Sequence, residues 1–124
     1  MWSGHERPIL EGEIEIILRI TNKWSRESFR VMRVREFIVD SAHTIRNVST
    51  SGTQSTVLAS IPCLDDDGAL IDILVYENKA GEFAELEIIR PDAQPLLMKS
   101  RFSSSGARAA DRLTIPLPLT LHQG

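Results

Sequence analysis

The sequence predicts an α+β domain: an N-terminal helix packed on a mainly antiparallel sheet of about four strands, followed by an extended C-terminal arm. Three observations carry that expectation. Apolar residues recur at helical spacing between Leu10 and Asn22. Three alternating segments between Thr56 and Arg90 are separated by short turns rich in Asp, Asn and Gly. The 124 residues, 42% hydrophobic and 25% charged, have the size and composition of one domain with one packed core.

In the first element, Leu10, Ile14, Ile17 and Leu18 build one apolar stripe, which Ile16 and Ile20 widen. Pro8 suits the entry turn, and Glu11, Glu13 and Glu15 crowd the early turns, where the helix dipole favours anions. The isoleucines and the alternation from Glu13 to Ile16 leave a strand as the alternative. Between Ser25 and Asp40, the β-favouring Val34, Phe37, Ile38 and Val39 point to a strand centred on Arg33–Val39. Ser25 capping a short helix that carries Phe29, Met32 and Phe37 is the competing reading. The polar stretch His43–Thr56, rich in Ser, Thr and Asn, reads as a flexible loop.

The middle of the chain is the clearest part. Val57, Ala59, Ile61 and Cys63 alternate on one side of a strand whose Pro62 restricts it to a sheet edge or a bulge. The turn Asp65-Asp66-Asp67-Gly68 leads into Ile71, Ile73 and Val75, and Asn78-Lys79-Ala80-Gly81 leads into Ala84, Leu86 and Ile88. Together they form an antiparallel meander that Pro91 stops. The expected core is Ile14, Ile17, Leu18, Val57, Ile61, Ile71, Ile73, Val75, Leu86 and Ile88. Residues 1–98 form the expected domain, with 99–124 as linker and tail. In the tail, Pro116 and Pro118 keep Thr114–Leu121 extended. That arm either folds back over the core or docks on a second copy or a partner.

The run Asp65-Asp66-Asp67-Gly68, Gly81-Glu82-Phe83-Ala84-Glu85-Leu86-Glu87, Pro91-Asp92 and Pro95-Leu96 resembles a family of small bacterial proteins, a domain of unknown function. Its members carry a D-x-D-G turn, a second Gly turn, an E-L-D-x-W-K-like strand and a terminal P-L. The Arg7-Pro8-Ile9 start also fits, so the resemblance spans residues 6–98. Ile89-Arg90 stand where Trp-Lys is usual, and a long polar stretch replaces a glycine-rich turn after Asp40. The resemblance implies a compact α+β fold and no established activity. By association with bacterial toxin systems it also raises an immunity-type role.

Composition and motifs exclude much. Fourteen Lys+Arg against seventeen Asp+Glu give a net charge of −3, unlike the basic footprint of a nucleic-acid binder. No apolar run approaches the roughly 20 residues that span a bilayer, and no secretory leader is visible. A lone Cys63 fits a reducing cytoplasm. His5, His43 and His122 lack zinc-ligand spacing, and aligning the acidic turn with a calcium loop puts Cys63 and Leu74 where carboxylates belong. Cys63 is expected to be a buried, inert thiol, and neither a serine elbow nor a phosphate-binding glycine loop occurs. No catalytic, cofactor or metal residue is expected.

What remains is charge layout. Residues 63–92 hold nine acids against Lys79 and Arg90, a local balance of −7, while residues 23–46 carry +3. Either the basic segments neutralise the acidic meander internally, or its outer face steers a basic partner. The expected function is a small cytoplasmic protein-binding module, with the immunity-type role that the resemblance implies. Asp72, Glu85 and Glu87 would be its charged contacts and Phe83, on the same outward parity, its apolar anchor. Two other classes compete: a small hydrolase using the Glu85, Glu87 and Asp72 carboxylates, with the two glutamates roughly 6.6 Å apart on one face of a strand, and a homo-oligomer that exchanges C-terminal arms. Neither nucleic acid nor membrane is an expected partner.

Overall fold

The computed structural model describes residues 4–50, 52–98 and 102. One helix, α1 (Glu11–Ile20), accompanies six strands: β1 (Glu6–Pro8), β2 (Arg33–Val39), β3 (Ala42–Asn47), β4 (Ser55–Leu64), β5 (Leu70–Asn78) and β6 (Phe83–Ile89). They form one sheet in the order β1-β2-β3-β6-β5-β4 with every neighbour antiparallel. The α+β class holds, and the strand count rises from about four to six. The expected arm, residues 99–124, lies outside the described residues except for Phe102, whose side chain is in the core.

The helix keeps its predicted place. Ile14, Ile16 and Ile17 bury its apolar side, and Arg26 bridges Glu11 and Glu15 on the exposed side. It packs against β4 and the 3-10 turn at Arg26–Phe29. Both readings of residues 25–40 contain part of the outcome, since that short turn carries Phe29 and β2 occupies Arg33–Val39. The edge position expected from Pro62 is also observed, because β4 ends the sheet.

The expected loop at His43–Thr56 is corrected. Its first half is β3, an interior strand between β2 and β6, and Val48–Thr50 is a 3-10 turn. Polarity misleads here because the polar side chains are paired inside the fold. His43 meets Glu13, Arg46 meets Glu85, and Asn47 donates to the Phe83 carbonyl. A buried polar group with partners is no obstacle to an interior strand.

Register defines two faces, since residues directly opposite on neighbouring strands share a side. The inner face, toward α1, carries His43, Ile45, Leu86, Ile88, Ile71, Ile73, Val75 and Cys63. The outer face carries Arg35, Phe37, Thr44, Arg46, Glu85, Glu87, Asp72, Leu74 and Tyr76. Two register shifts interrupt the alternation. In β4, Val57 pairs with Tyr76 and Ala59 with Val75, which leaves Leu58 as an extra residue. In β6, Glu85 pairs with Tyr76 and Phe83 with Glu77, which makes Ala84 the extra one. Each bulge exchanges the face of the residues beyond it. Val57, expected in the core, is 48% exposed, and Phe83, expected outside, is 2% exposed.

Backbone proximity fixes two glycines. A Cβ on Gly4 would fall 1.2 Å from the Glu36 carbonyl oxygen, so only glycine lets this segment lie beside β2. Gly68 closes the β4–β5 turn at a φ of +86°, a conformation glycine adopts without steric cost.

Candidate functional site

Two aromatic rings, Trp24 and Phe83, line the main cavity, and Phe29 packs edge-on behind them. Trp24 follows α1, Phe29 sits in the 3-10 turn, and Phe83 opens β6. The rings meet edge to face, with centroids 6.3 Å apart for Trp24–Phe29, 5.8 Å for Trp24–Phe83 and 5.6 Å for Phe29–Phe83. Such edge-on contacts suit the ring quadrupoles. The indole N–H of Trp24 donates to the Gly81 carbonyl at 2.9 Å, which fixes the ring against the β5–β6 turn. Asn47 braces the other side: its amide donates to the Phe83 carbonyl at 2.8 Å, and its oxygen accepts from the Ser49 amide and hydroxyl.

The cavity these residues enclose has a volume of about 560 Å³ and is lined by Trp24, Met32, Val48 and Phe83, with Ser28, Ser49 and Asn47 among its polar walls. Arg33 and Glu82 contribute one charge of each sign to its lining, and Val31 stands beside them 88% exposed. That volume falls in the range of sites that take small molecules. No local motif announces it in the sequence. Trp24 and Phe29 share the segment between α1 and β2, and Phe83 reaches them only through the topology of the sheet.

The four residues singled out from the sequence do not form one open surface. Phe83 is corrected from an outward anchor to an inner wall, because the Ala84 bulge turns it over. Glu85 stays on the outer face but is only 8% exposed, and Arg46 donates to it at 3.0 Å. Burial pushes the Glu85 carboxyl above its usual range, an effect that Arg46 only partly offsets and neighbouring Glu87 reinforces. Glu87 accepts from the Tyr76 hydroxyl at 2.8 Å. Burial and this bond push the Tyr76 pKa up to about 12. Asp72 remains exposed on β5, opposite Ile89. Glu85 borders a hollow of about 100 Å³ with Arg46, Thr50 and Ser55, and neither Glu87 nor Asp72 is among its walls.

Two ionic clusters escaped the sequence reading. In the first, Glu13 is fully buried on α1. Arg7 reaches both of its oxygens, at 3.0 and 2.7 Å, His43 Nε2 lies 2.6 Å away, and the Leu10 amide donates at 2.8 Å. Burial alone would raise this carboxyl, but the bonds from His43 and Arg7 outweigh it and hold Glu13 below the usual range. Arg7 also binds Glu36 at 2.8 Å, so the cluster ties β1, α1, β2 and β3 together. The ring of Phe102 lies over His43, with centroids 4.3 Å apart.

In the second, Arg90 is 5% exposed and binds Asp92 at 2.9 Å, Asp67 at 2.7 Å and Asp65 at 2.8 Å. Asp65, part of the turn expected from the sequence, is 4% exposed and accepts from the amides of Asp66, Leu97 and Met98. Burial raises the Asp65 carboxyl, and those amides with Arg90 more than reverse the shift. The turn therefore clamps the segment after β6 to the β4–β5 hairpin. An (i, i+3) spacing from Asp65 to Gly68 looks the same in sequence whether the acids face water or a guanidinium 23 to 25 residues away.

Cys63 is buried, and burial together with Asp72 pushes its thiol up to about 11, so little thiolate forms at neutral pH. Among the described residues no three His, Cys, Asp or Glu side chains are grouped to hold a metal ion. His122 lies outside them. Likewise, no described helix is long and apolar enough to cross a membrane. The chain matches no family model, no curated protein and no solved structure.

Proposed function

We propose that the chain is a protein-binding module that seats an apolar side chain of its partner in the cavity bounded by Trp24, Met32 and Phe83. The observation that carries this reading is the cavity itself: about 560 Å³, walled by aromatic and aliphatic groups, with exposed Val31 at its margin. Recognition surfaces owe much of their affinity to one apolar anchor entering a desolvated pocket, with polar groups around it fixing orientation. Arg33 and Glu82 supply such groups here. The rings are already locked by the Trp24–Gly81 bond, so little ordering is needed on binding.

An immunity-type module that masks a basic partner, as the family resemblance implies, asks for open carboxylates on the outer face. Arg46 neutralises Glu85 and the Tyr76 hydroxyl occupies Glu87, which supports internal pairing over a free acidic patch. The same occupancy weighs against a hydrolase, whose acid pair needs a shared cleft with room for substrate. A photo-crosslinking residue placed at position 31 and, separately, at position 72 in the native host separates these readings. The cavity reading expects an adduct with a protein other than this chain from position 31 and no such adduct from 72. An adduct from 72 alone returns the acidic face as the docking surface, and adducts from neither position overturn the binding role.

A further inference from the structure

We infer that the outer face of the sheet is a contact between two copies of this chain, packed face to face about a two-fold axis running along the strands. Such an axis demands that a single surface be complementary to itself, and the outer face meets that demand. The axis lies between β3 and β6, the middle of the six-strand order, and it sets each copy's β3 over the other's β6 and each β2 over the other's β5.

The register supplies rows of residues across the outer face. One row runs Phe37, Thr44, Glu87, Leu74, and the next runs Arg35, Arg46, Glu85, Tyr76. Turned over the axis, Phe37 of one copy lies over Leu74 of the other, and the Arg46–Glu85 ion pair of one copy lies over that of the other in reversed order, so the four charges alternate. In a third row Ala42 meets Ile89, a small residue against a large one. Basic β2–β3 therefore covers acidic β5–β6 in both directions. An axis perpendicular to the strands would instead set arginine over arginine, so the charge layout selects one arrangement. Sheets stacked in this way lie about 10 Å apart with strands roughly 30° from aligned, as in β-sandwiches.

The dimensions suit a pair. Five strands spaced about 4.8 Å apart and about seven residues long offer roughly 500 Å² per copy. Two such faces approach the roughly 1,000 Å² of a specific interface. Leu74 and Ile89 remain partly exposed within the described chain, and Leu70 at the rim is 53% exposed. The uncovered apolar area thus lies where the second copy would sit.

The test is the mass of the full chain by light scattering across a concentration series, with folding of every variant verified by circular dichroism. The expected result is a dimer that Leu74→Asp weakens at least tenfold in Kd and that Glu87→Lys weakens less. The double variant Arg46→Glu/Glu85→Arg, which exchanges the paired charges in both copies, keeps the dimer. A monomer at every concentration overturns the inference. So does a dimer indifferent to Leu74→Asp, which would place the contact elsewhere, as arm exchange requires.

Discussion

Glu13 and Glu85 serve opposite sides of the same sheet, both are nearly out of water, and their carboxyls have moved in opposite directions. Glu13 is held ionised by two bonds from Arg7, the His43 ring and a backbone amide. Glu85 receives one bond, from a half-exposed arginine, and has Glu87 beside it on the strand. Burial costs a carboxylate its hydration in both places. What decides the sign is the number of donors aimed at it and the absence of a like charge. The inner carboxylate is therefore a structural tie, while the outer one is a charge that the fold tolerates.

The widest separation comes from removing each acid. Glu13→Gln leaves Arg7 and His43 facing a neutral amide inside the core, and unfolding in urea should show a loss of about 3–5 kcal/mol. Glu85→Gln should change stability by less than about 1 kcal/mol, because the ion pair with half-exposed Arg46 that it removes only partly offsets the burial of the charge. Equal losses from the two variants would break the comparison.

The two faces separate again at the bulges. Phe83→Ala should cost about 3–5 kcal/mol, as expected for a large ring leaving a packed core. Val57→Ala should stay within about 0.5 kcal/mol, as a surface substitution does. Strict alternation predicts the reverse ranking, with Val57 inside and Phe83 outside.

Acid titration sharpens the contrast. The folded Glu13 carboxyl titrates below its unfolded value near 4.5, so its stabilisation is complete above that pH and is lost as pH falls through the folded value. Glu85 titrates above its unfolded value, so its ionisation penalises the fold at neutral pH and the penalty disappears on acidification. The wild-type unfolding free energy should fall below about pH 4.5, and Glu13→Gln should flatten that fall. In Glu85→Gln the acid-induced loss should instead be slightly steeper than in wild type.

These differences mark how far the sequence was legible. The helix, β2 and the β4–β5–β6 meander follow local rules of periodicity and turn chemistry, and Leu10–Asn22 and Arg33–Val39 carry those signals directly. β3 did not show itself, because His43, Arg46 and Asn47 look like loop residues until Glu13, Glu85 and the Phe83 carbonyl are placed beside them. The faces of Val57 and Phe83 were hidden for another reason. One extra residue in a strand leaves composition unchanged yet inverts everything beyond it, and neither Leu58 nor Ala84 is a Gly or Pro that would mark a bulge. The cavity depends on both failures, since β3 provides Asn47 and the second bulge provides Phe83.

The central claim is that Phe83 packs inside the fold against Trp24 and Phe29, and the most direct test is the aromatic region of a nuclear Overhauser spectrum of the full chain. With ring centroids 5.6 and 5.8 Å from Phe83, cross-peaks should connect its ring protons to those of Phe29 and Trp24. Cross-peaks from Phe83 to Tyr76 and the Glu85 side chain, with none to Trp24 or Phe29, would contradict the account and return the aromatic ring to the acidic outer face.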